Sequence, residues 1–327
     1  MKYRAFGNTS FNVSEVGLGT WQVGGRWGSP FDVANAERVL SHAVDNGVNF
    51  IDTADVYSDG DSEKAVGRFV RGCREPLFVA TKCGRKLSPH IAESYTPLAM
   101  RQFVEASLTR LGLERINLIQ LHCPPTAVYY RPEVFEVFDR MREEGKIEHL
   151  GVSVEKVEEG LKAIEFSNVR SVQIIYNMFR LRPRERFFEE AVRRGVAIIV
   201  RVPLASGLLT GLYQTSTKFA DGDHRQFNRD GAAFDKGETF SGVPYEIGLE
   251  AVEQLRKSFP NLPLNLAALR FVLDAKGVST VIPGASNPDQ VDENLRVLAV
   301  EPLTDAQHKS VAQVYNSLIQ RHVHARW

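Results

Sequence analysis

Short apolar runs alternate with amphipathic stretches along most of the chain. In the amphipathic stretches the apolar residues recur every three or four positions, which predicts helices, whereas the short runs predict buried strands. The eight predicted strands lie at 16–21, 48–52, 77–82, 116–122, 149–153, 171–177, 196–202 and 280–283. Strands that alternate with helices across short turns are typical of a (β/α)8 TIM barrel, and a doubly wound open sheet is the competing arrangement.

Glycines mark the ends of several predicted helices. The helices lie near 33–46, 62–71, 97–111, 132–144, 184–194 and 288–298, with a further one after the fifth strand. Gly47, Gly112 and Gly145 directly follow helices of this set, and glycine readily adopts the left-handed backbone that often ends a helix. Ahead of the barrel, the runs 3–6 and 13–16 flank a short loop with a glycine, which predicts a β-hairpin that closes one end of the barrel.

Two segments break the alternation of strands and helices. Residues 203–244 show no clear period, and a long irregular segment in a compact domain is usually a functional loop or lid, with a tolerated surface insertion as the alternative. Residues 304–321 have helical spacing and predict a C-terminal tail. We therefore expect one domain over 1–327: a barrel with an N-terminal hairpin, a long loop after the seventh strand and a helical tail.

Composition and charge narrow the class of protein. The chain has 327 residues and a formal net charge of +0, so no general electrostatic attraction to nucleic acid or to a membrane is expected. No run reaches the roughly 18 apolar residues of a membrane span, and the N-terminus lacks the apolar core of a signal peptide. The three cysteines favour a reducing compartment. We expect a cytoplasmic protein, either a monomer or a homo-oligomer.

Ionisable side chains lie at the ends of three successive predicted strands. Asp52, Lys82 and His122 end the second, third and fourth strands, and Tyr57 follows Asp52 by five positions. Each alone has an ordinary explanation: Asp52 could be a helix or turn cap, Lys82 a solvated lysine and His122 a core histidine. The carboxyl ends of barrel strands meet at one mouth, however, which predicts that the four side chains face one another.

These four residue types together suit acid–base chemistry at a carbonyl group. A tyrosine has an ordinary pKa of about 10, and a neighbouring lysine stabilises the phenolate and lowers that pKa. Asp52 would balance the lysine, because an unpaired buried charge is costly. A neutral His122 would position a carbonyl oxygen, and Tyr57 would give it a proton. None of the four supplies a hydride, so a cofactor must.

The segment after the eighth predicted strand offers a phosphate site. It contains Gly284 and Ser286, then Asn287 as a predicted N-cap and Pro288 at the first helical position. An exposed helix N-terminus binds phosphate well, and an ordinary strand–helix junction is the alternative. No G-x-G-x-x-G fingerprint follows the first strand, so a Rossmann fold is not supported.

A metal site is not expected from the cysteines. Cys83 and Cys123 directly follow Lys82 and His122, but zinc sites draw on closely spaced pairs such as C-x2-C, and the candidate ligands here are scattered. Free thiols are therefore the prediction, and no metal is expected.

Longer motifs resemble the aldo-keto reductase superfamily of NAD(P)H-dependent oxidoreductases. The matching segments are GLGTW at 17–21, FIDTADVYSDGDSEKAVG at 50–67, VATK at 79–82, LIQLH at 118–122, EEGKIEHLGVS at 143–153, PLASGLLTG at 203–211 and VIPGASNPDQVDENL at 281–295. The resemblance implies a barrel with a cofactor across its mouth. It also implies a catalytic tetrad of Asp52, Tyr57, Lys82 and His122, in which Tyr57 is the proton donor.

The resemblance further implies a set of cofactor contacts. These fall at Gly19, Thr20, Trp21, Asp52, Ser153, Gln173, Arg201, Pro203, Leu204, Ser206, Leu208, Gly284, Ser286, Gln290, Glu293 and Asn294. Three positions depart from the common pattern: Val154 replaces an asparagine, Arg201 replaces an aromatic residue, and Gln290 replaces an arginine of many NADPH-preferring members. The family trend favours NADPH (NADP+) over NADH, although an arginine at 290 would have offered the 2′-phosphate a bidentate partner.

The expected function is reduction of aldehydes or ketones to alcohols, or the reverse, on a small-molecule substrate. We expect substrate contacts from Trp21, Tyr57, His122 and Tyr129. A cofactor-sensing accessory subunit with little turnover is one alternative that the family offers. A metal-dependent barrel hydrolase is another, but it needs a cluster of histidines, and the predicted strand ends supply His122 alone.

Overall fold

A hairpin precedes a barrel of parallel strands in the computed structural model, which describes residues 1–25 and 29–327. The hairpin strands are β1 (Tyr3–Ala5) and β2 (Asn12–Ser14), and the barrel strands are β3 (Leu18–Gly19), β4 (Phe50–Asp52), β5 (Phe78–Cys83), β6 (Ile116–His122), β7 (Ile147–Ser153), β8 (Val169–Ile175), β9 (Ala197–Arg201) and β10 (Val278–Val281). Barrel strands pair in chain order, and parallel bridges from Val16 to Val281 and from Gly19 to Gly284 join the first to the last. The (β/α)8 barrel prediction is confirmed.

Helices follow the barrel strands where the sequence predicted them. They are α1 (Val33–Asp45), α2 (Asp61–Gly72), α3 (Pro97–Leu111), α4 (Pro132–Glu143), α5 (Val157–Ala163), α6 (Phe187–Arg193), α7 (His224–Phe227), α8 (Tyr245–Ser258), α9 (Leu264–Leu273), α10 (Pro288–Leu295), α11 (Asp305–Val314) and α12 (Gln320–Val323). Gly112 ends α3 in the left-handed conformation, with φ 61°. Sequence analysis named neither α8 nor α9; every side chain of α9 except Asn265 is buried, so this helix lacks a polar face.

The N-terminal hairpin closes the amino end of the barrel, as predicted. Phe6 and Val13 are fully buried and pack with inward-facing side chains such as Phe50, Phe78 and Leu118. The ring centroids of Phe6 and Phe78 are 5.0 Å apart. The hairpin therefore fills the amino end with apolar side chains and leaves the opposite, carboxyl end of the strands open for polar groups.

The two segments that interrupt the alternation meet over that carboxyl end. The loop 203–244 folds into short 3-10 turns around α7, and its residues line the cleft described below. The C-terminal Trp327 donates from Nε1 to Asp235 Oδ1 at 2.8 Å, and the Arg180 guanidinium lies 4.6 Å from the Trp327 ring. The tail thus holds the loop in place. Within the described residues, no helix is both long and apolar enough to span a membrane.

Candidate active site

A cleft of about 1160 Å³ lies at the carboxyl end of the barrel. Ligand pockets are typically about 300–1,000 Å³, so this one has room for a large ligand or for two ligands side by side. The expected site residues that line it are Gly19, Thr20, Trp21, Asp52, Tyr57, His122, Gln173, Arg201, Pro203, Leu204, Ser206, Gly284, Gln290, Glu293 and Asn294. The strand ends and both loop segments therefore converge on one cavity.

A buried lysine links the carboxylate and the phenol at the base of this cleft. Lys82 Nζ donates to Asp52 Oδ1 at 2.5 Å, to the Thr53 carbonyl at 2.8 Å and to Tyr57 Oη at 3.2 Å. Lys82 and Asp52 are almost completely buried, whereas Tyr57 is half-buried and faces the cleft. Strand order brings the groups together, because β4 and β5 are neighbours and both end at this mouth.

Two glutamines complete the surroundings of the Asp52 carboxylate. Gln120 and Gln173 donate from Nε2 to Asp52 Oδ2 at 3.2 Å and 2.7 Å. Both carboxylate oxygens therefore accept hydrogen bonds, which is what a buried ion pair needs to be tolerated. Gln120 lies inside an apolar run and sequence analysis missed it; its one signal was a polar residue in a strand that is otherwise buried.

Burial and the neighbouring charges together set the pKa values of Tyr57 and Lys82. Burial raises the pKa of Tyr57 above its ordinary value; Lys82 opposes that rise and Asp52 adds to it. Burial acts to lower the pKa of Lys82, but Asp52 and Tyr57 outweigh it, so this pKa lies above its ordinary value. Sequence analysis expected the lysine to bring the pKa of Tyr57 down, and here desolvation wins. Tyr57 therefore keeps its proton at neutral pH, as a proton donor must.

His122 faces the same space as a neutral ring. Burial lowers the pKa of His122 well below its ordinary value, and Arg85, Lys82 and Arg201 lower it further. Its ring centroid lies 6.1 Å from that of Tyr57, edge to face. Nε2 is 3.4 Å from Arg85 Nη1, and Nδ1 is buried with no hydrogen-bond partner among the described residues. The neutral ring can therefore hold an oxygen without adding charge.

The backbone is strained directly after Tyr57. The turn after it places Ser58 and Asp59 in the left-handed region, with φ 47° and 51°, and Gly60 follows with φ 94°. Such conformations cost free energy in residues with a side chain and cluster at functional sites. The Asp59 carboxylate accepts from Lys86 Nζ at 2.6 Å, which anchors the turn.

An aromatic wall stands beside the phenol. The Trp21 ring stacks on the rings of Tyr57 and His224, with centroids 5.8 Å and 5.2 Å apart, and meets Phe234 at 5.9 Å. His224 and Phe234 come from the loop 203–244 and line the cleft. Sequence analysis named neither, because no pattern in an aperiodic loop shows which side chains return to the barrel.

Acidic and basic groups meet behind His122. Cys123, Glu155 and Glu238 place one potential metal ligand each within 4.8 Å of one another. Arg201 lies 3.0 Å from Glu155 and 3.7 Å from Glu238, and Arg85 lies 2.8 Å from Glu238. The guanidinium groups already pair with both carboxylates, so a cation bound here would have to displace them.

Comparison with known proteins assigns the family. The family model described as the aldo/keto reductase family matches residues 15–316. The aldo-keto reductase YhdN of Bacillus subtilis (strain 168) is 30% identical over 300 residues, covering 89% of this chain and 87% of YhdN. The NADH-specific methylglyoxal reductase of Escherichia coli (strain K12) is 27% identical over 339 residues, covering 97% and 99%. Glycerol dehydrogenase AKR11B4 from Gluconobacter oxydans superposes with a TM-score of 0.77 at 29% identity, covering 98% of this chain and 96% of that one.

The chain belongs to the aldo/keto reductase family. It is accordingly an NAD(P)H-dependent oxidoreductase that acts on small carbonyl compounds. The predicted resemblance is thus confirmed over the length of the barrel.

The residues present in this aldo/keto reductase fit a dinucleotide. The cleft runs from His122 and Gln173 to Gln290 and Asn294 as one cavity. A Cβ added to Gly284 would meet nothing nearer than 3.7 Å, so packing does not require glycine there. Because Gly284 has no side chain, the backbone of the cleft wall is open there and a ligand can approach it closely.

The helix N-terminus after β10 is capped rather than bare. Asn287 Oδ1 accepts from the Gln290 amide at 3.0 Å, which confirms the predicted N-cap and Pro288 at the first helical position. Gln290 Oε1 in turn accepts from the Ser286 amide at 2.8 Å and from its hydroxyl at 3.1 Å. The predicted cap is therefore present, and the two side chains occupy the Gln290 and Ser286 amides.

Five expected residues do not line the cleft. Lys82, Ser153, Leu208 and Ser286 are absent from the lining. Ser153 donates from Oγ to Gln173 Oε1 at 3.4 Å, so it contacts a side chain that does line the cleft. Tyr129 lies in the hydrophobic core, completely buried, 6.4 Å from the Phe135 ring. Because the side chain of Tyr129 is buried in the core and does not reach the cleft, we leave Tyr129 out of the proposed substrate site.

Proposed function

We propose that this aldo/keto reductase reduces aldehydes and ketones with Tyr57 as general acid, and that Tyr57 is the base in the reverse reaction. The observation that supports this most is the hydrogen-bonded series from Asp52 through Lys82 Nζ to Tyr57 Oη, with steps of 2.5 Å and 3.2 Å. The phenol is the member of the series that faces the cleft. A proton donor has to reach the substrate, and Tyr57 is placed to do so.

Each of the four residues has its own role in the proposal. Tyr57 Oη gives its proton to the carbonyl oxygen, and Lys82 stabilises the phenolate that remains. Asp52 keeps Lys82 charged and fixed, since removal of either partner would leave a buried charge alone. Neutral His122 orients the carbonyl oxygen. A bound nicotinamide supplies the hydride.

The direct test is a substrate screen. Purified protein is mixed with NADPH or NADH and a panel of aldehydes, ketones, sugars and quinones, and absorbance of the reduced cofactor is followed. Consumption that depends on the carbonyl compound supports the proposal. A protein that binds the cofactor but consumes none across the panel would instead be an accessory subunit.

For the cofactor we propose NADPH, with NADH as the weaker alternative. Arg256 lines the cleft as a candidate partner for a phosphate, although its guanidinium donates to Glu253 and to the Gly211 carbonyl in this structure; Gln290 lines the cleft near Glu293 and Asn294. Arginine recognises phosphate by paired hydrogen bonds. The methylglyoxal reductase of Escherichia coli is named as NADH-specific, so the preference of this chain for NADPH over NADH has to be measured.

Gln290→Arg is expected to tighten NADPH binding by about 1–2 kcal/mol, the scale of a charged hydrogen bond, and to leave NADH binding unchanged. The substitution also removes the bonds from Gln290 to Ser286. Gln290→Met is therefore the matched control, because it removes those bonds without adding charge. Tryptophan fluorescence titration with both cofactors measures the effect, and equal tightening toward NADH would contradict a role for the 2′-phosphate.

Prolonged dialysis against EDTA is expected to leave carbonyl reduction unchanged. The proposed proton donor and its supporting charges need no metal, and Arg85 and Arg201 already pair with Glu238 and Glu155. The measurement compares initial rates before and after dialysis. A loss that zinc restores would show that the mechanism above is wrong.

A further inference from the structure

Two arginines reach the part of the cleft that holds the carbonyl group in the proposed function. Arg85 follows β5 by two positions, and its Nη1 atom is 3.4 Å from His122 Nε2. Arg201 ends β9, and both side chains line the cleft while remaining mostly buried, with exposed fractions of 19% and 10%. The four proposed catalytic residues use neither guanidinium, and a contact of Arg201 with the cofactor, as the resemblance implies, leaves the charge of Arg85 unexplained.

A carboxylate of the chain itself lies between these guanidinium groups. Glu238 Oε1 accepts from Arg85 Nη1 at 2.8 Å and lies 3.7 Å from Arg201 Nη1. Glu238 belongs to the 3-10 turn Lys236–Glu238 of the loop 203–244 and is itself part of the cleft lining. Guanidinium groups recognise carboxylates by geometry as well as charge. The contact with Glu238 therefore shows that a carboxylate fits between the two guanidinium groups.

Glu238 is the carboxylate that these two arginines keep ionised. Burial acts to raise the pKa of Glu238, but Arg85 and Arg201 outweigh it and hold that pKa low. Arg201 also pairs with Glu155 at 3.0 Å; burial raises the pKa of Glu155, and Arg201 opposes the rise. The other charged side chains that act on Glu155 are Arg180 and Asp235, while Lys82 and Asp52 pair with each other.

We infer that Arg85 and Arg201 form a carboxylate-binding subsite beside His122, that Glu238 occupies it in the absence of substrate, and that the substrates are 2-oxo acids. This inference rests on the proposed function for the position of the carbonyl oxygen. In the reaction the carbonyl carbon gains the hydride that the reduced nicotinamide supplies, and the oxygen gains the proton of Tyr57. The products are a 2-hydroxy acid and the oxidised nicotinamide, and the carboxylate is unchanged.

The short distance from Arg85 to His122 selects the 2-oxo acids among anionic carbonyl compounds. Without substrate, His122 Nε2 accepts from Arg85 Nη1 at 3.4 Å, because a guanidinium only donates. In the other neutral tautomer Nε2 donates to a carbonyl oxygen instead, and that oxygen lies within a few ångströms of the same guanidinium. A carboxylate on the neighbouring carbon falls within hydrogen-bond range of that guanidinium. A carboxylate at the far end of a longer aldehyde would lie beyond it.

The kinetic test compares pyruvate with hydroxyacetone, which replaces the carboxylate by an uncharged CH2OH group. We expect kcat/KM to favour pyruvate by about 10- to 100-fold, the range of a hydrogen bond to a charged group. Arg85→Gln is expected to abolish this preference, and Glu238→Gln to lower KM for pyruvate but not for hydroxyacetone. Arg225→Gln is the matched control, because Arg225 lines the same cleft but pairs with Asp223; the pyruvate-to-hydroxyacetone ratio should stay at the wild-type value.

A binding test separates failure of the subsite from failure of the proposed function. Oxamate, an unreactive analogue of pyruvate, and oxamide, its uncharged counterpart, are titrated by tryptophan fluorescence with and without NADP+, since Trp21 lines the cleft. We expect oxamate to bind at least about tenfold more tightly than oxamide, and more tightly still to Glu238→Gln. Equal binding of the two, or a pyruvate preference that survives Arg85→Gln, overturns the subsite. Oxamate binding in a protein that reduces no carbonyl compound would overturn the proposed function alone.

Discussion

Tyr57→Phe is expected to slow carbonyl reduction by about 10²–10⁴-fold, the usual contribution of a positioned general acid. The substitution removes only the hydroxyl that accepts from Lys82 Nζ at 3.2 Å, and it keeps the ring that stacks on Trp21. Cofactor affinity should therefore stay within a few-fold of wild type. Single-turnover oxidation of NADPH with a good aldehyde, beside a fluorescence titration of the cofactor, measures both quantities.

A second tyrosine provides the control for this experiment. Tyr130 is 67% exposed and lies outside the cleft, so Tyr130→Phe should turn over at the wild-type rate. If Tyr57→Phe stays within about threefold of wild type, another group donates the proton, because loss of a general acid costs far more. His122 would then be the next residue to test, since its ring faces the same space with its centroid 6.1 Å from that of Tyr57.

That these strand-end side chains meet at one mouth could be predicted from sequence, because parallel barrels align the carboxyl ends of their strands. A polar residue that ends an apolar run is visible without coordinates, and Asp52, Lys82 and His122 all follow that rule. The register then brings them together: Asp52 pairs with Ala80, and Lys82 with Gln120, on adjacent strands. The cap at Asn287 was predictable for a similar reason, because it depends on side chains a few positions apart.

The residues that sequence analysis missed depend on contacts between distant parts of the chain. Arg85 and Glu238 are 153 positions apart and meet only because the loop 203–244 folds back over the barrel. Tyr129 failed in the opposite way: an aromatic residue in a loop near the mouth suggested a substrate contact, yet its turn packs into the core. Local patterns identify residues at strand ends, whereas loop side chains take their positions from tertiary packing.

Lys82→Met is the change with the largest expected effect on stability and activity together. It leaves the Asp52 carboxylate buried without its cation, and breaking a buried ion pair typically costs about 3–5 kcal/mol. It also removes the charge that opposes the rise in the pKa of Tyr57, so the phenol becomes a weaker acid and turnover should fall by about 10²-fold or more. Urea denaturation and single-turnover reduction measure the two effects separately.

Lys82→Met combined with Asp52→Asn distinguishes loss of catalysis from loss of folding. An amide at position 52 can still accept from Gln120 and Gln173 but carries no charge, so the double variant should regain about 2 kcal/mol or more of unfolding free energy. Reduction should stay as slow as in Lys82→Met. Asp52 and Tyr57 raise the pKa of Lys82 above its ordinary 10.5. The stabilisation that charged Lys82 contributes is therefore complete at pH 7, and it is lost only as the pH rises through the pKa of Lys82 in the folded protein. Measurement at pH 7 therefore reports the full effect, and a double variant that regains activity along with stability would show that Lys82 serves folding alone.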